Sequence, residues 1–421
     1  MTPVIDLQDE VHDFLFLDMV QRGLKHGVLL DFHIRPAGTE EMEAAWEKFL
    51  VGELKDWENP QPRVPHTEYG TRWLHTSNMH KSVRRSYYWG AWMSAEYLKD
   101  AGYEDELWKR LAVILAEDVA WGHPYMTAMG LWVCRSKTVR KRLGPKILPF
   151  LLSEMCRGDI GKSRDWTDLF GVCTAPGNPI EVAFDEMQPH SLTWVTDAWM
   201  GADNEKIQRM AALWMFYPQF LPVEGKKVER KFSKDDREAF IAKTGWSGLV
   251  SYIWHWTQTA TGWGLGVMAP LAWEQLCHSK TASAGMDLYQ IGPDKMGVQY
   301  LRLPKTDGMW AAAVDQHTRE GKQAISYFIK ASDKLREHPL QSLADLHFTN
   351  AVREALFYAE VGVLYPRLKY DSANMWFSAY RDVAFELDFG LNADQSRGLI
   401  NDVRDELPVL FRARKKILGL E

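Results

Sequence analysis

Apolar side chains recur at helical spacing through much of this chain. In residues 39–57 they fall three and four positions apart, which predicts an amphipathic helix with Thr39 as its N-cap. Residues 107–119 carry a similar stripe, which predicts a helix inside a longer helical block. The stripe positions are Met42, Trp46, Phe49, Leu50 and Leu54 in the first helix and Leu107, Leu111, Ile114, Leu115 and Val119 in the second.

The remaining segments predict further helices and a little strand. Residues 244–273 contain no Asp, Glu, Lys or Arg, but hydroxyl and amide side chains interrupt the apolar run. A buried core helix is therefore expected there rather than a membrane span. Residues 316–418 predict three or four amphipathic helices. Shorter predicted elements are a strand at 191–195, a helix at 233–245, and a hairpin of 298–303 with 309–314.

These patterns predict a mainly α fold with minor β structure, divided among several domains. A chain of 421 residues is long enough for two to four domains. The closely spaced, Gly-punctuated strands of an OB-fold are missing from the pattern, so that barrel is not expected. The expected units are a mostly helical N-terminal unit at 1–77, a helical domain with a basic patch at 78–158, a mixed Trp-rich region at 159–300, and a C-terminal helical region at 301–421.

Charge is distributed unevenly along the chain. The formal net charge is −6, so any nucleic-acid site must be a local patch on an acidic protein. Residues 119–153 contain no acidic residue, and with no carboxylate beside it in the sequence the basic run there predicts a surface for a polyanion. The alternative is an ordinary solvated helix end. The cations of this run are Arg135, Lys137, Arg140, Lys141, Arg142 and Lys146.

A second basic cluster precedes this run and is mixed with aromatic residues. Proteins that bind single strands combine cations that follow the phosphates with flat rings on which unpaired bases stack. Large rings are usually buried, so Trp89 and Trp92 are expected in the core, whereas Tyr88 is expected to be exposed. The alternative places all the charges on a solvated helix face. The predicted DNA-binding residues of this cluster are Lys81, Arg84, Arg85 and Tyr88.

Motifs for catalysis and cofactor binding are missing from the sequence. It contains no P-loop, no H-E-x-x-H and no G-x-S-x-G, and its four cysteines form no C-x-x-C pair. We therefore expect no catalytic residue, no metal and no cofactor, in a protein of a reducing compartment without a secretory leader. The alternative is a metal-dependent DNA-processing enzyme, such as a nuclease, that uses Glu117 or Asp118, the best acidic pair.

Residues 80–132 resemble the C-terminal helical collar domain of the RarA/MgsA-type replication-associated recombination ATPases. The ATPase module of that family is absent, because nothing in the chain matches its phosphate-binding loop. The resemblance implies a collar-like helical domain at 78–158 that can form homo-oligomers beside single-stranded DNA. It rests on His80, Lys81, Ser82 and Arg84, on Ala101–Gly102, Arg110–Leu111 and Ala116–Glu117–Asp118, and on Pro124.

In size, Trp-rich composition and its collar-like block, the whole chain also resembles the single-stranded-DNA-binding RNA polymerase cofactors (Drc type) of lytic tailed phages. That resemblance implies an early protein of the host cell cytoplasm that binds single strands without sequence preference. It also implies recruitment of a phage-encoded RNA polymerase to melted DNA, with no enzymatic activity and no membrane partner. The alternative from the structural class is a replication or recombination adaptor that binds no DNA.

Overall fold

A computed structural model describes residues 16–61, 70–160, 247–261, 282–286, 302–306, 309–342, 345–360, 366–370, 381–382, 384–386 and 388–420. About three quarters of these residues are helical, which confirms the prediction of a mainly α fold. Strand structure within these ranges is one antiparallel pair and one isolated bridge, far from a five-stranded barrel. The predicted strand at 191–195 and the predicted helix at 233–245 lie outside the described residues.

The first half of the described chain is a succession of short helices. A turn of π-helix (Leu115–Val119) and a turn of 3-10 helix (Ala120–Gly122) follow α5 without interruption. The α-helices are α1 (Asp18–Lys25), α2 (Thr39–Asp56), α3 (Arg72–Arg84), α4 (Tyr88–Asp100), α5 (Glu104–Ile114), α6 (Pro124–Arg135), α7 (Lys137–Leu143), α8 (Ile147–Met155) and α9 (Gly248–Thr261).

The second half adds five helices and the two strands. Strands β1 (Ala282–Met286) and β2 (Pro366–Tyr370) pair antiparallel, with Ala284 opposite Leu368. A 3-10 turn (Ala311–Ala313) precedes the first of these helices, and another (Pro339–Ser342) lies between the second and the third. The helices are α10 (Arg319–Ala331), α11 (Asp333–Arg336), α12 (Asp345–Glu360), α13 (Ala393–Asp405) and α14 (Leu407–Ile417).

The first hydrophobic core is built around Trp46 of α2. This indole is fully buried, lies edge-on to Tyr252 of α9 at 4.6 Å between ring centroids, and contacts Trp132 of α6. Fully burying one such side chain stabilises a fold by roughly 2–3 kcal/mol. All ten predicted stripe positions of α2 and of residues 107–119 are buried here. The apolar stretch at 244–273 contributes α9, whose described side chains are mostly buried, as predicted.

This first core does not separate the chain at the expected boundary between residues 77 and 78. That position lies inside α3, whose thirteen residues form one uninterrupted helix. Trp46, from before the boundary, and Phe150, from after it, belong to the same buried cluster. The N-terminal unit and the helical block are therefore packed together, because α2 completes the core that α6 and α8 leave open.

A second core is formed by residues from 303 onward. Phe328 of α10, Leu399 of α13 and Leu410 of α14 are fully buried in it. Leu74 of α3 also belongs to this cluster, although most of the buried apolar residues near α3 belong to the first core. Helix α3 therefore lies between the two cores and contacts both.

Three local predictions differ from the structure. Gly38, not Thr39, occupies the N-cap of α2, and no side chain caps this helix end. The predicted hairpin is reduced to one bridge between Arg302 and Trp310, because residues 311–313 turn into a 3-10 helix; residues 298–301 lie outside the described ranges. Strand β2 interrupts the region that was predicted as entirely helical, since β1, about 80 residues earlier, pairs with it.

No helix in the described part of the chain is both long enough and apolar enough to cross a lipid bilayer.

Candidate nucleic-acid interface

Helix α3 presents buried polar side chains on the surface that lies between the two cores. Thr71 caps its N-terminus by accepting a hydrogen bond from the Leu74 amide. Asn78 is fully buried, donates to the Gly90 carbonyl and accepts from the Trp310 amide of the second core at 2.8 Å. A buried polar group without such partners would destabilise the fold by about 1–3 kcal/mol. The sequence of α3 therefore encodes contacts to both sides.

His80 and Arg84 both contact Asp118, which lies in the π-helical turn and is fully buried. The Arg84 Nε–H donates to Asp118 Oδ1 at 2.7 Å, and the His80 Nε2–H donates to the other carboxylate oxygen. Burial lowers the pKa of His80 below the usual histidine value. The Asp118 carboxylate opposes this shift, and the nearby Arg84 guanidinium offsets part of the effect of Asp118. The buried cluster therefore holds one ion pair and a neutral imidazole.

The π-helical turn that carries Asp118 ends in an unusual backbone conformation. Ala120 has φ 33° and ψ −113°, a combination that side-chain-bearing residues rarely adopt. Its carbonyl accepts hydrogen bonds from the Thr127 hydroxyl at 2.9 Å and from the His123 amide. Strain of this kind costs about 1–3 kcal/mol and persists only where surrounding contacts fix the backbone. Here those contacts hold the Asp118 carboxylate against α3.

Lys81 and Arg85 face the second core. The Lys81 ammonium lies 3.2 Å from an Asp315 carboxylate oxygen that also accepts a hydrogen bond from Ser77. Burial lowers the pKa of Lys81, although the Asp315 carboxylate opposes this shift. Arg85 donates to the Glu360 carbonyl and stacks over the Trp310 ring at 5.2 Å. These contacts leave neither Lys81 nor Arg84 exposed to a DNA backbone in this conformation.

Tyr88 is half-buried, whereas the sequence predicted an exposed ring. It packs against the first core, and its hydroxyl donates to the Asn59 side chain at 2.6 Å. Residue 59 belongs to the loop after α2, which the expected domain division had assigned to a separate unit. Trp92 is buried as predicted, and Trp89 is half-buried.

The basic run 135–146 makes most of its contacts within the protein. Arg135 forms an ion pair with Glu43, and Arg142 pairs with Glu47 through two hydrogen bonds of 2.6 and 2.8 Å. Both carboxylates belong to α2. The expectation of a run without compensating carboxylates is therefore wrong in three dimensions, because residues about 90 positions earlier supply them.

Two further cations of this run cap helix ends. Arg140 donates to the Val133 and Cys134 carbonyls at the end of α6, at 3.1 and 2.7 Å. Lys146 donates to the Leu54 and Trp57 carbonyls at the end of α2, at 3.1 and 2.8 Å. Cations at these positions satisfy exposed carbonyl groups and interact favourably with the helix dipole.

The most solvent-accessible cations of this run are on α7. The Lys137 side chain is 70% exposed, and its one ion pair among the described residues is a surface contact of 2.9 Å with Asp105. Lys141 lies one turn further along the same helix and is exposed; no carboxylate among the described residues is within ion-pair distance of it. These two lysines are the predicted site residues that the structure leaves most accessible to a phosphate.

A groove of about 660 Å³ lies beside Lys137, between the start of α3 and helices α5, α6 and α7. Its apolar floor includes Leu131 and Val113. Two carboxylates line the groove, and both are paired. Asp105 pairs with Lys137, and Glu106 accepts a hydrogen bond from Arg72. The cations that line the groove are Lys109, Arg110, Arg135, Lys137 and Arg140.

Trp73, at the start of α3, provides the most exposed indole ring of the groove. Half of its surface is accessible, and the Arg72 guanidinium lies 4.5 Å from its ring centre. Lys109 and Arg110, across the groove, make no ion pair with any residue that the structure describes. The sequence interpretation missed these three residues, because Trp73 precedes the basic cluster and the other two lie within an apolar stripe. The signal in the sequence that could have identified them is their position on the polar faces of α3 and α5.

The residues that carry the collar resemblance occupy structural positions. His80 and Arg84, from the first motif, contact Asp118 of the Ala116–Glu117–Asp118 motif, so these contacts join two separate parts of the resemblance. Gly102 has φ 83° in the turn between α4 and α5, a conformation that favours glycine, and Pro124 begins α6. These residues therefore hold helices together, whereas Arg110, which also carries the resemblance, lines the groove.

The chain was compared with protein families, curated proteins and solved structures, and it matches none of them.

Proposed function

We propose that this protein binds single-stranded DNA without strong sequence preference, and that the groove between α3, α5, α6 and α7 is its binding surface. The observation that supports this proposal most directly is the exposed Trp73 ring beside Lys109 and Arg110, two cations that pair with no carboxylate among the described residues. Such a combination of ring and cations suits a single strand, whose bases are free to stack while its phosphates seek positive charge.

The arrangement of the groove favours a single strand over a duplex. Trp73 can stack only on a base whose face is uncovered, and the faces of paired bases are covered by their neighbours in a duplex. Lys137 and Lys141 extend the positive surface along α7, away from the ring. A strand with one base on Trp73 would therefore carry its next phosphates towards α7.

Fluorescence anisotropy with labelled oligonucleotides tests this proposal. The wild-type protein is expected to bind a mixed-sequence single strand more tightly than a duplex of the same length. Equal or tighter binding of the duplex would contradict the proposal. Binding of neither would instead favour the adaptor without DNA binding.

Salt dependence identifies the phosphate contacts. If Lys109, Arg110 and Lys141 each contact one phosphate, the logarithm of the binding constant falls with the logarithm of salt concentration by about 0.7 per contact. Replacing all three by Gln should make that slope shallower by about 2. The matched control replaces three exposed cations on helices that form the second core, Lys322 and Lys330 of α10 and Arg412 of α14. It should leave the slope unchanged. Equal effects of both triple variants would assign binding to overall charge rather than to the groove.

The resemblance to phage transcription cofactors extends the proposal to a partner. In this extended form, the protein brings a phage-encoded RNA polymerase to single-stranded or melted DNA. The supporting features are the size, the Trp-rich composition and the collar-like block that carry the resemblance, together with the groove proposed to bind a single strand. Transcription by the purified polymerase from a melted template should increase when the protein is added, and the groove variants should reduce the increase. Stimulation that survives loss of DNA binding would separate the two roles.

A metal-dependent DNA-processing enzyme is the second candidate function. The observation in its favour is that one ligand atom each of His80, Glu117 and Asp118 lies within 4.8 Å of the others. Against it, Arg84 already contacts Asp118 at 2.7 Å, so a cation would have to displace a guanidinium from a buried position. Degradation of labelled single strands in the presence of Mg²⁺ or Mn²⁺, abolished by Asp118→Asn, would favour the enzyme. Intact strands under those conditions would exclude it.

A further inference from the structure

A small cavity lined by both charged and apolar side chains lies where α3 meets the second core, away from the groove. Its volume is about 40 Å³, enough for about three water molecules, and it is partly open to solvent. The lining side chains belong to α3, to residues 312 and 315–317 before α10, and to helices α10, α12 and α14. The cavity therefore forms only where the second core packs against α3.

The charged groups that line this cavity leave an excess of positive charge. Three basic side chains, Lys81, Arg353 and Arg414, face two carboxylates, Asp315 and Glu360. Each carboxylate already has a cationic partner, since Asp315 pairs with Lys81 and Glu360 pairs with Arg414. Arg353 is the cation left over. Among the described residues, its Nη1 hydrogen-bonds only to the Asn350 side-chain oxygen, at 2.8 Å.

The donors in the cavity are held in place by the surrounding protein. The Arg414 side chain is almost fully buried; its Nε–H donates to the Val314 carbonyl at 3.0 Å, and its Nη1 and Nη2 both donate to the Glu360 carboxylate, the Nη2 bond at 2.8 Å. Lys81 is nine-tenths buried and uses one contact on Asp315. Among the described residues, no acceptor lies within hydrogen-bond distance of the buried Arg353 Nε–H.

Such a cavity suits a small oxyanion. Arg353 is half-buried and its Nε is buried without an acceptor among the described residues, so an anion that accepts charge-assisted hydrogen bonds would satisfy this donor and balance its charge. A guanidinium and an ammonium that converge from different helices match the oxygens of a phosphate group. Burial lowers the pKa of Lys81, and a bound anion would restore the preference of this side chain for its charged form.

We propose that this cavity binds a phosphate dianion, either free or as the terminal group of a phosphomonoester, through Lys81, Arg353 and Arg414. Because α3 and helices α12 and α14 supply these donors, a bound phosphate also links the two cores. The proposal does not depend on DNA binding in the groove.

Isothermal titration calorimetry of the full chain in a chloride buffer tests the site with three probes: inorganic phosphate, thymidine 5′-monophosphate and thymidine. One equivalent of phosphate or of the monophosphate is expected to bind, and thymidine is not. Tighter binding of the monophosphate identifies a phosphomonoester as the ligand class, and binding of inorganic phosphate alone identifies the free ion. Failure of both phosphate probes would overturn the proposal.

Arg353→Gln is the decisive variant, because Arg353 makes no ion pair with a described residue and its replacement should not unfold the protein. We expect it to weaken phosphate binding at least about tenfold, and Arg353→Lys to restore part of the loss. The matched control is Lys334→Gln, which removes an exposed cation of α11 outside the cavity. Wild-type affinity in Arg353→Gln, with an unchanged melting curve, would refute the assignment.

Trp73→Ala separates this site from the groove. The variant should keep full phosphate affinity in the cavity even where its affinity for single-stranded DNA is reduced. Loss of monophosphate binding in Trp73→Ala, with Arg353→Gln unaffected, would place the phosphate in the groove and contradict the cavity site.

Discussion

Residues 80–85 on α3 and residues 135–142 at the end of α6 and in α7 are similarly rich in Lys and Arg, yet they lie in opposite environments. Arg84 is almost fully buried against Asp118, whereas Lys137 is 70% exposed and pairs with Asp105 across the surface. The difference arises from how much of the protein packs against each helix. Two cores enclose α3, and only one side of α7 is covered.

This comparison shows that the same residue types have different roles according to their access to water. A buried ion pair contributes little net stability when intact, but removing one partner leaves an unpaired charge and is strongly destabilising. An exposed pair contributes little and can exchange its partner for another anion. Cations on α7 are therefore accessible to a ligand at the surface, whereas Arg84 on α3 is held in a buried ion pair that supports the fold.

The largest expected effect is that of removing the buried carboxylate. Asp118→Ala leaves Arg84 and His80 without their partner and should reduce the free energy of unfolding by about 3–5 kcal/mol, measured by urea denaturation. Asp105→Ala, its counterpart on the surface, should leave the denaturation curve unchanged. If both variants behave alike, the distinction between the two basic segments is wrong.

Two tryptophans of α3 and α4 separate stability from binding. Trp92 is buried in the first core, so Trp92→Ala should destabilise the fold by about 3–5 kcal/mol. Trp73→Ala should instead reduce single-strand affinity by ~1–3 kcal/mol, with little change in the melting temperature. Tyr327→Ala removes an exposed ring on α10, far from the groove in the sequence, and is the control for binding. A large loss of stability in Trp73→Ala would show that this ring supports the fold.

The strained turn beside Asp118 provides a smaller and opposite effect. Glycine adopts positive φ without the steric cost that Ala120 meets. Ala120→Gly should therefore raise the free energy of unfolding by ~1 kcal/mol, seen as a higher melting temperature. A lower melting temperature would mean that the methyl group contributes more by packing than the backbone loses by strain.

The smallest expected effect is a pH dependence of stability. Burial lowers the pKa of His80 and of His123 below 6.5, so at and below that pH the unfolded chain binds more protons than the folded protein. Their contribution to stability is complete above pH 6.5 and is lost as the pH falls towards the lowered values. His80→Gln should make this loss shallower in denaturation curves recorded across that range. An unchanged dependence would mean that His80 keeps its ordinary pKa in the fold.

The sequence determined the helices and much of the first core. The buried positions of α2, from Met42 to Leu54, are those that the helical period selects, because the spacing of apolar residues is a local property. The stripe of residues 107–119 is also buried as predicted, although the helix widens into a π turn that no local pattern indicated.

Tertiary structure decided which cations remain available to a ligand. Glu43 and Glu47 lie about 90 residues before the arginines that they neutralise, and Asp315 lies more than 200 residues after Lys81. A charge pattern read along the chain cannot include partners at such distances. The same reason explains why the pairing of β1 with β2, about 80 residues apart, was not predicted. Periodicity in the sequence specifies which face of a helix is apolar, and only the packed structure specifies what that face and its charged edges meet.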